Sequence, residues 1–343
     1  MLMIIFGAGA SYDSYSTVLP GGGIGGRQNY PERPPLANEL FQDLPVFRDQ
    51  LSKYPEARPL IPLLQSAPDV ESMLGSWQDQ ADDQSLRQLA AIRYYLRDVI
   101  YECELQWTLR TRGALNYGTL LDQIRREAKV SIVTFNYDTL IEKALADLRV
   151  PIKSLDDYVK DRQFKLFKLH GSTDWVQRAT FKGRIQSQEW RSAAEIIGHA
   201  PELEQTPNFE RHTDRSLPTV LRVPNGQHVQ LIPLMPALAV PATGKSRFIC
   251  PKDHLQSLRD IIPQVRKVLV IGWKAAEQHF LKLLVEGLGE TTVKGLIVRG
   301  SADGAKETIR SLHDAGIRGD LQADPGGFSD FVIGNRVEAF LSS

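Results

Sequence analysis

Three short motifs of this 343-residue sequence contain residue types that can bind a ligand and move protons. Gly-Ala-Gly-Ala-Ser stands at residues 7–11, Thr-Phe-Asn-Tyr-Asp at 134–138 and Lys-Leu-His-Gly-Ser at 168–172. Glycines allow a backbone to turn sharply and to approach a ligand without interference from a Cβ atom. The second motif supplies an amide and a carboxylate, and the third supplies an imidazole, all of which can hydrogen-bond a substrate or act in proton transfer.

The glycine turn at residues 7–11 predicts nucleotide binding if its backbone amides face outward. The amides would then meet a pyrophosphate, the Ser11 hydroxyl would add a donor, and the start of a following helix would contribute partial positive charge. Many tight turns after strands contain two glycines for steric reasons alone, so this motif by itself leaves both interpretations open.

The second and third motifs also have two interpretations each. Asn136 and Asp138 alternate with Tyr137, so in strand geometry both side chains would point to one side, towards a ligand. Either residue could instead cap a helix that begins near Thr139. His170 stands where a strand gives way to a loop and titrates near neutral pH, which suits a general base, although a lone histidine is more often structural.

The elements that must position these motifs form an alternating α/β pattern. Continuous apolar runs predict buried parallel strands, and the segments between them have the apolar spacing of helices. The predicted strands lie at residues 1–6, 130–135, 164–169, 268–271 and 296–298. We therefore predict a Rossmann-like fold with a mostly parallel sheet and helices on both faces. Right-handed crossovers place the carboxyl ends of the strands on one edge, which brings the three motifs together.

Three other segments depart from this alternation. Residues 12–35 contain the glycine-rich stretch 21–26 and predict a mobile loop near the first turn. Residues 36–112 predict an inserted helical subdomain. Residues 176–244 mix prolines with polar residues and predict an irregular insertion. We expect the whole of 1–343 to form a single domain around the sheet.

The composition argues against several classes of protein. Because 41 basic residues balance 41 acidic ones, we expect no direct binding of nucleic acid. The two cysteines, Cys103 and Cys250, cannot build a disulfide framework or a four-cysteine zinc site, and no metal is expected. No secretory signal and no membrane-spanning apolar run are apparent, so we expect a cytoplasmic protein.

Taken together and in this order, the three motifs resemble the signature of sirtuin-like proteins, particularly the bacterial branch found in anti-phage defence. Pro-Pro-Leu at residues 34–36 and Val-Leu-Val-Ile-Gly-Trp at 268–273 also look like that branch. The sequence departs from the deacetylases of the family, because it lacks their four-cysteine zinc module and their Gly-Ile-Pro-Asp-Phe-Arg segment. It also has Trp273 and Lys274 where the family usually shows a small hydroxyl residue.

The resemblance implies that NAD is bound as a substrate, with its phosphates against the glycine turn. Asn136 would contact the nicotinamide ribose or position water, Asp138 would face the carboxamide, and His170 would be the general base. The cofactor-binding residues that it implies are Gly7, Ala8, Gly9, Ser11, Thr134, Gly171 and Gly272.

We therefore expect an NAD glycohydrolase that releases nicotinamide and ADP-ribose and depletes cellular NAD during phage infection. Residues 176–244 occupy the place of the zinc module, so water is a better acceptor than an acyl-lysine peptide. The resemblance further implies homo-oligomers and a protein partner such as a translocase-type ATPase or an Argonaute-like protein. Two alternatives stay open: a catalytically silent sensor that binds NAD or ADP-ribose, and a zinc-independent deacylase or ADP-ribosyltransferase.

Overall fold

The computed structural model describes most of the chain. The described residues are 1–14, 30–67, 70, 73–74, 82–182, 192–213, 220–225, 228–240 and 248–343. Most of the loop predicted at 12–35, including the glycine-rich stretch 21–26, lies outside the described residues. At its start, Tyr12 belongs to a short helix rather than to a loop.

A six-stranded parallel sheet forms the centre of the structure, which confirms the predicted Rossmann-like fold. Its strands are β1 (Leu2–Phe6), β2 (Val130–Thr134), β3 (Phe164–Lys168), β8 (Lys267–Ile271), β9 (Val293–Val298) and β10 (Gly319–Asp324). Their order is β10-β9-β8-β1-β2-β3, and every neighbouring pair is parallel. All residues of β1 and β2 are buried, because the sheet is covered on both faces there.

A second sheet is formed mostly by the segment predicted to be irregular, residues 176–244, which corrects that prediction. Its strands are β4 (Gly171–Phe181), β5 (Leu203–Arg211), β6 (Val220–Asn225) and β7 (His228–Leu238). They are antiparallel in the order β5-β4-β7-β6. Pro207, Pro233 and Pro236 lie inside these strands, and β4 has two register shifts. Both features interrupt the alternation of apolar and polar residues by which a strand is recognised in a sequence.

Helices connect the strands of the parallel sheet. The described α-helices are α1 (Ala8–Tyr12), α2 (Pro45–Leu51), α3 (Ile61–Ser66), α4 (Asp83–Arg110), α5 (Asn116–Gln123), α6 (Leu140–Asp147), α7 (Asp157–Lys160), α8 (Ala193–Gly198), α9 (Lys252–Ile261), α10 (Gln278–Leu288), α11 (Ala302–Asp314), α12 (Gly327–Ile333) and α13 (Arg336–Ser342). Among the described residues, no helix has both the length and the apolar character needed to cross a membrane.

The segment 36–112 is helical in its described part, as predicted. Its longest element is the 28-residue α4, which begins where the Asp82 side chain accepts a hydrogen bond from Ser85 N at 2.8 Å. Leu89 and Tyr94, on one face of α4, are buried. Residues on other faces of α4 are buried as well, because the helix packs into a second hydrophobic core that it shares with the antiparallel sheet. That residues 1–343 form one domain stays a prediction.

Candidate functional site

The strand register brings the three motifs to one edge of the parallel sheet. Phe6, the last residue of β1, pairs with Thr134 of β2 on one side and with Ile271 of β8 on the other. Thr134 pairs in turn with Lys168, the last residue of β3. The residues that follow these strand ends therefore meet at the carboxyl edge, where open α/β sheets bind ligands.

A cavity of about 840 Å³ lies at this edge, within the size range of small-molecule sites. It brings together eight of the ten predicted site residues. They are Gly7, Ala8, Gly9, Ser11, Asn136, Asp138, His170 and Gly272. A smaller cavity of about 260 Å³ is lined by a different set, among them Glu104 and Glu142.

The other two predicted residues, Thr134 and Gly171, act on the site without lining the cavity. Thr134 Oγ1 accepts a hydrogen bond from the backbone nitrogen of Asn136 at 3.1 Å, which fixes the chain after β2. Gly171 has a φ of +85°, and a Cβ atom there would overlap the carbonyl group of Ala237. Glycine is therefore required at 171 by the approach of β7, rather than by a ligand.

The glycine turn packs against the end of β8 instead of exposing its glycine amides. Gly7 N donates to the Ile271 carbonyl at 3.0 Å, and Gly9 N donates to the Gly272 carbonyl at 3.2 Å. A Cβ atom on Gly7 would lie 2.6 Å from Trp273 Cα, so the close approach that needs glycine is made by the protein itself. The expectation that the amides of Gly7 and Gly9 face a pyrophosphate is thus corrected, because the Ile271 and Gly272 carbonyls accept from both amides.

Asn136 is buried and held in one orientation by three acceptors around its amide nitrogen. Nδ2 lies 3.0 Å from the Gly7 carbonyl, 2.9 Å from Ser11 Oγ and 3.2 Å from Tyr117 Oη. A flipped amide would place its oxygen against the Gly7 carbonyl, which is also an acceptor, so this orientation follows from the network. Among the described residues, Asn136 Oδ1 has no hydrogen-bond partner. It is therefore a fixed acceptor for a ligand or a water molecule.

Tyr117 and Ser11 connect Asn136 to Asp138. The two hydroxyl oxygens are 2.8 Å apart. Burial, and then the charge of Asp138, raise the pKa of Tyr117 well above its usual range, so the phenol keeps its proton. Because Tyr117 accepts from Asn136, its proton is directed to Ser11, and Ser11 donates in turn to Asp138. The Ser11 hydroxyl is thus engaged within the protein, and its contact with a phosphate stays a prediction.

Asp138 is almost fully buried; it makes a capping contact and also lines the cavity. Asp138 Oδ1 accepts a hydrogen bond from Leu140 N at 3.2 Å, and this contact caps the start of α6. Asp138 is also one of the residues that line the cavity. Burial, and then the negative charge of Glu104, raise the pKa of Asp138 to about 6, against opposing effects of Lys168 and Ser11. Near neutral pH the cavity therefore contains a carboxylate whose charge is costly to keep.

His170 lines the same cavity and is packed among aromatic rings. Its ring centre lies 4.9 Å from that of Phe135 in an edge-to-face arrangement and 6.1 Å from that of His279 in a stacked one. Its carbonyl accepts a hydrogen bond from Ala239 N at 2.9 Å, so the antiparallel sheet fixes the backbone. The imidazole is 2% exposed, which places a titratable group in a site from which most water is excluded.

Several cavity residues were not among the predicted set. Trp273 stacks on Phe135 with ring centres 5.3 Å apart and planes 14° apart, and the pair forms an aromatic wall beside His170. Arg33, just before the Pro-Pro-Leu motif, is 2% exposed and lies over the Tyr12 ring, 4.3 Å from its centre. Proximity to that motif is the signal that could have identified Arg33.

The residue set fits NAD by its chemistry. Arg33, Lys274 and Arg299 line the cavity and can neutralise a diphosphate. Asn136 supplies an acceptor for a hydroxyl, and the aromatic wall supplies a face for a planar ring. Within the described part of the chain, no group of three or more His, Cys, Asp or Glu side chains is placed to hold a metal ion.

One comparison with known proteins, a family model, agrees with the second and third motifs. The family model of the SIR2-like domain matches residues 130–190, a segment that contains the second and third motifs. A solved structure of a mutant Sir2 homologue in complex with 2′-O-acetyl ADP ribose is 14% identical, with a TM-score of 0.40, and the match covers 100% of this chain and 93% of that chain. No curated protein matches the sequence.

Proposed function

Because this chain is sirtuin-like, with a SIR2-like sequence over residues 130–190, we propose that it is an NAD glycohydrolase. The reaction consumes NAD and water and yields nicotinamide, ADP-ribose and a proton. The bond between C1′ of the ribose and the nicotinamide nitrogen breaks, and its electron pair leaves with the nicotinamide. Water then bonds to C1′ and loses its proton to a base.

The observation that carries the proposal is the fixed acceptor Oδ1 of Asn136. It stands in the same cavity as the carboxylate of Asp138 and the imidazole of His170. Because its orientation is set before any ligand arrives, Asn136 can hold a water molecule or a ribose hydroxyl without reorganisation.

The remaining groups have complementary tasks in this mechanism. The carboxylate of Asp138 favours the positive charge that develops on the ribose as nicotinamide leaves, or holds the carboxamide of the substrate. His170 accepts the proton that water or a ribose hydroxyl loses, a role that contributes a rate factor of about 100 to 10,000. The aromatic pair Phe135 and Trp273 keeps this part of the cavity apolar, which strengthens both electrostatic effects.

Water is the acceptor that the chain favours. The two cysteines cannot form a four-cysteine zinc module. The segment after the third motif instead contributes to the antiparallel sheet, in which Leu238 of β7 pairs with Gly171 and the next residue, Ala239, donates to the His170 carbonyl. An acylated peptide would need a channel at this place, whereas water needs none.

The proposal is tested by incubating the purified protein with NAD and following nicotinamide and ADP-ribose by chromatography. We expect release by the wild type and by His313→Ala and Asn208→Ala, which change exposed residues of the same two types. We expect His170→Ala and Asn136→Ala to lower kcat by about 100-fold or more.

Each other outcome has a definite meaning. Equal turnover by His170→Ala and the wild type would refute the assignment of the base. Tight NAD binding with no turnover by any form would favour a silent sensor, and turnover only with an acylated or acceptor protein would favour a transferase or deacylase.

The proposal extends to a role in anti-phage defence, as an effector that depletes cellular NAD. In that role the protein would form homo-oligomers and act with a partner such as a translocase-type ATPase or an Argonaute-like protein. Infection of cells that express the wild type or the His170→Ala protein tests this role. We expect cellular NAD to fall after infection only with the wild type.

A further inference from the structure

The carboxylate of Glu104 reaches from the inserted helix α4 to the backbone that follows Asp138. Its Oε2 accepts a hydrogen bond from Thr139 N at 2.8 Å, and its Oε1 accepts from the Thr139 hydroxyl. Asp138 Oδ1 accepts from the next amide, Leu140 N, at 3.2 Å. Two carboxylates from separate elements therefore satisfy successive amides at the start of α6, and they fix the backbone to which Asp138 belongs.

Glu104 makes these contacts from outside the cavity that contains Asp138. It is 2% exposed and lines the smaller cavity of about 260 Å³ instead. Its counter-ion is Lys143, whose Nζ lies 2.7 Å from Glu104 Oε1 and whose side chain is 39% exposed. Because water screens a cation so exposed, Lys143 offsets the buried negative charge only in part. Glu104 therefore acts on the larger cavity through Asp138 and not by contact with a ligand.

Groups that can carry charge lie near Asp138 on several elements. They are Glu104 of α4, Tyr117 of α5, Glu142 of α6, Lys168 of β3 and His170 just after β3. Lys168 is paired with Glu142 at 3.0 Å, and Tyr117 keeps its proton. Burial and then the charge of Glu104 raise the pKa of Asp138 to about 6, and Lys168 opposes them. The ionisation of Asp138 near neutral pH therefore depends on Glu104.

Resting on the proposed function, we infer that Glu104 is a positioning residue, which fixes the backbone beside Asp138 and by its charge sets the pH range in which Asp138 is ionised. The ionised form is the one that the proposed reaction uses, so the charge of Glu104 narrows the active range from its acid side. Glu104 belongs to α4 and to none of the three motifs. The inserted helix thus contributes to the control of the reaction as well as to the second hydrophobic core.

Urea unfolding over about pH 4 to 8 tests the charge of Glu104 without any cleavage. The stability that Asp138→Asn gains over its parent rises with pH and levels off where the folded-state Asp138 is fully ionised. In the Glu104→Gln background we expect it to level off about half a pH unit or more lower, because a neighbouring negative charge is gone. Glutamine keeps an oxygen that can accept from Thr139 N.

Two other backgrounds complete this measurement. Glu102→Gln changes a carboxylate of the same helix that accepts from the exposed Gln106, and it should leave the levelling-off unchanged. Lys143→Met removes the counter-ion of Glu104 and should move the levelling-off to higher pH. Because Lys143 is partly exposed, this variant decides the question even if Glu104→Gln does not fold.

The pH dependence of kcat/KM for NAD tests the consequence for the reaction, because it reports the ionisations of the free enzyme. We expect the acid limb of the profile to move to lower pH in Glu104→Gln, by the same amount as the levelling-off, and to stay in place in Glu102→Gln. A levelling-off that does not move in either Glu104→Gln or Lys143→Met would overturn the inference. So would a levelling-off that moves while the acid limb of an active enzyme stays in place.

Failure of the proposed function gives a different result. No form of the protein then releases nicotinamide from NAD, and the levelling-off alone decides whether Glu104 sets the ionisation of Asp138. If nicotinamide is released and neither the levelling-off nor the acid limb moves, the glycohydrolase stands and the role of Glu104 does not.

Discussion

Asp138 carries a charge that the folded protein accommodates at a cost, and Asp138→Asn should remove that cost. Burial and Glu104 raise the pKa of Asp138 from 3.8 to about 6. At about 1.4 kcal/mol per unit, this difference is worth about 3 kcal/mol. Because the folded state binds the proton more tightly than the unfolded state, the contribution to stability falls as pH rises from about 4 to about 6.

We therefore expect Asp138→Asn to be about 3 kcal/mol more stable than the wild type above about pH 7, with the difference shrinking towards zero near pH 4. Asparagine retains an oxygen that can accept from Leu140 N, so the start of α6 stays capped while the charge is lost. The same variant should cleave NAD much more slowly. If Asp138→Asn is more stable but less active than the wild type, the negative charge of Asp138 serves the reaction and not the fold.

Urea unfolding followed by tryptophan fluorescence over about pH 4 to 8 measures this difference. Asp314→Asn, which changes an exposed carboxylate of α11, is the matched control and should follow the wild type at each pH. A difference that does not depend on pH, or an Asp138→Asn protein less stable than the wild type at neutral pH, would refute the reasoning.

Two further substitutions test the packing around the site. Gly272→Ala should lower Tm by several degrees in thermal unfolding, because φ of Gly272 is +66° and the new Cβ would overlap Ala10 N. Gly300→Ala is the control and should leave Tm unchanged, because a Cβ at Gly300 would meet no other atom within 4 Å. Lys168→Met should cost about 3–5 kcal/mol in urea unfolding, because it removes the cation 3.0 Å from the buried carboxylate of Glu142. Adding Glu142→Gln should recover most of that loss, because the neutral amide oxygen can still accept from the Tyr158 hydroxyl. An equal loss in both proteins would contradict the pairing argument.

The placement of the motifs could be predicted because it depends on strand ends. Apolar runs identify β1, β2, β3 and β8, and parallel pairing in register then brings residues 7, 136, 170 and 272 to one edge. The edge strand β10 could not be predicted in this way. Its sequence is polar and half of it is exposed, so it lacks the apolar run that marks a strand buried on both faces.

The orientation and charge of the site could not be predicted, because they depend on side chains that arrive from distant helices. Tyr117 reaches Ser11 across 106 residues of sequence, and Glu104 of α4 acts on Asp138 through space. Neither residue belongs to a motif, and helical periodicity assigns Tyr117 only to the core. The motifs thus determine which groups face the ligand. The helices that pack on them determine that Asn136 presents an oxygen and that Asp138 holds its charge at a cost.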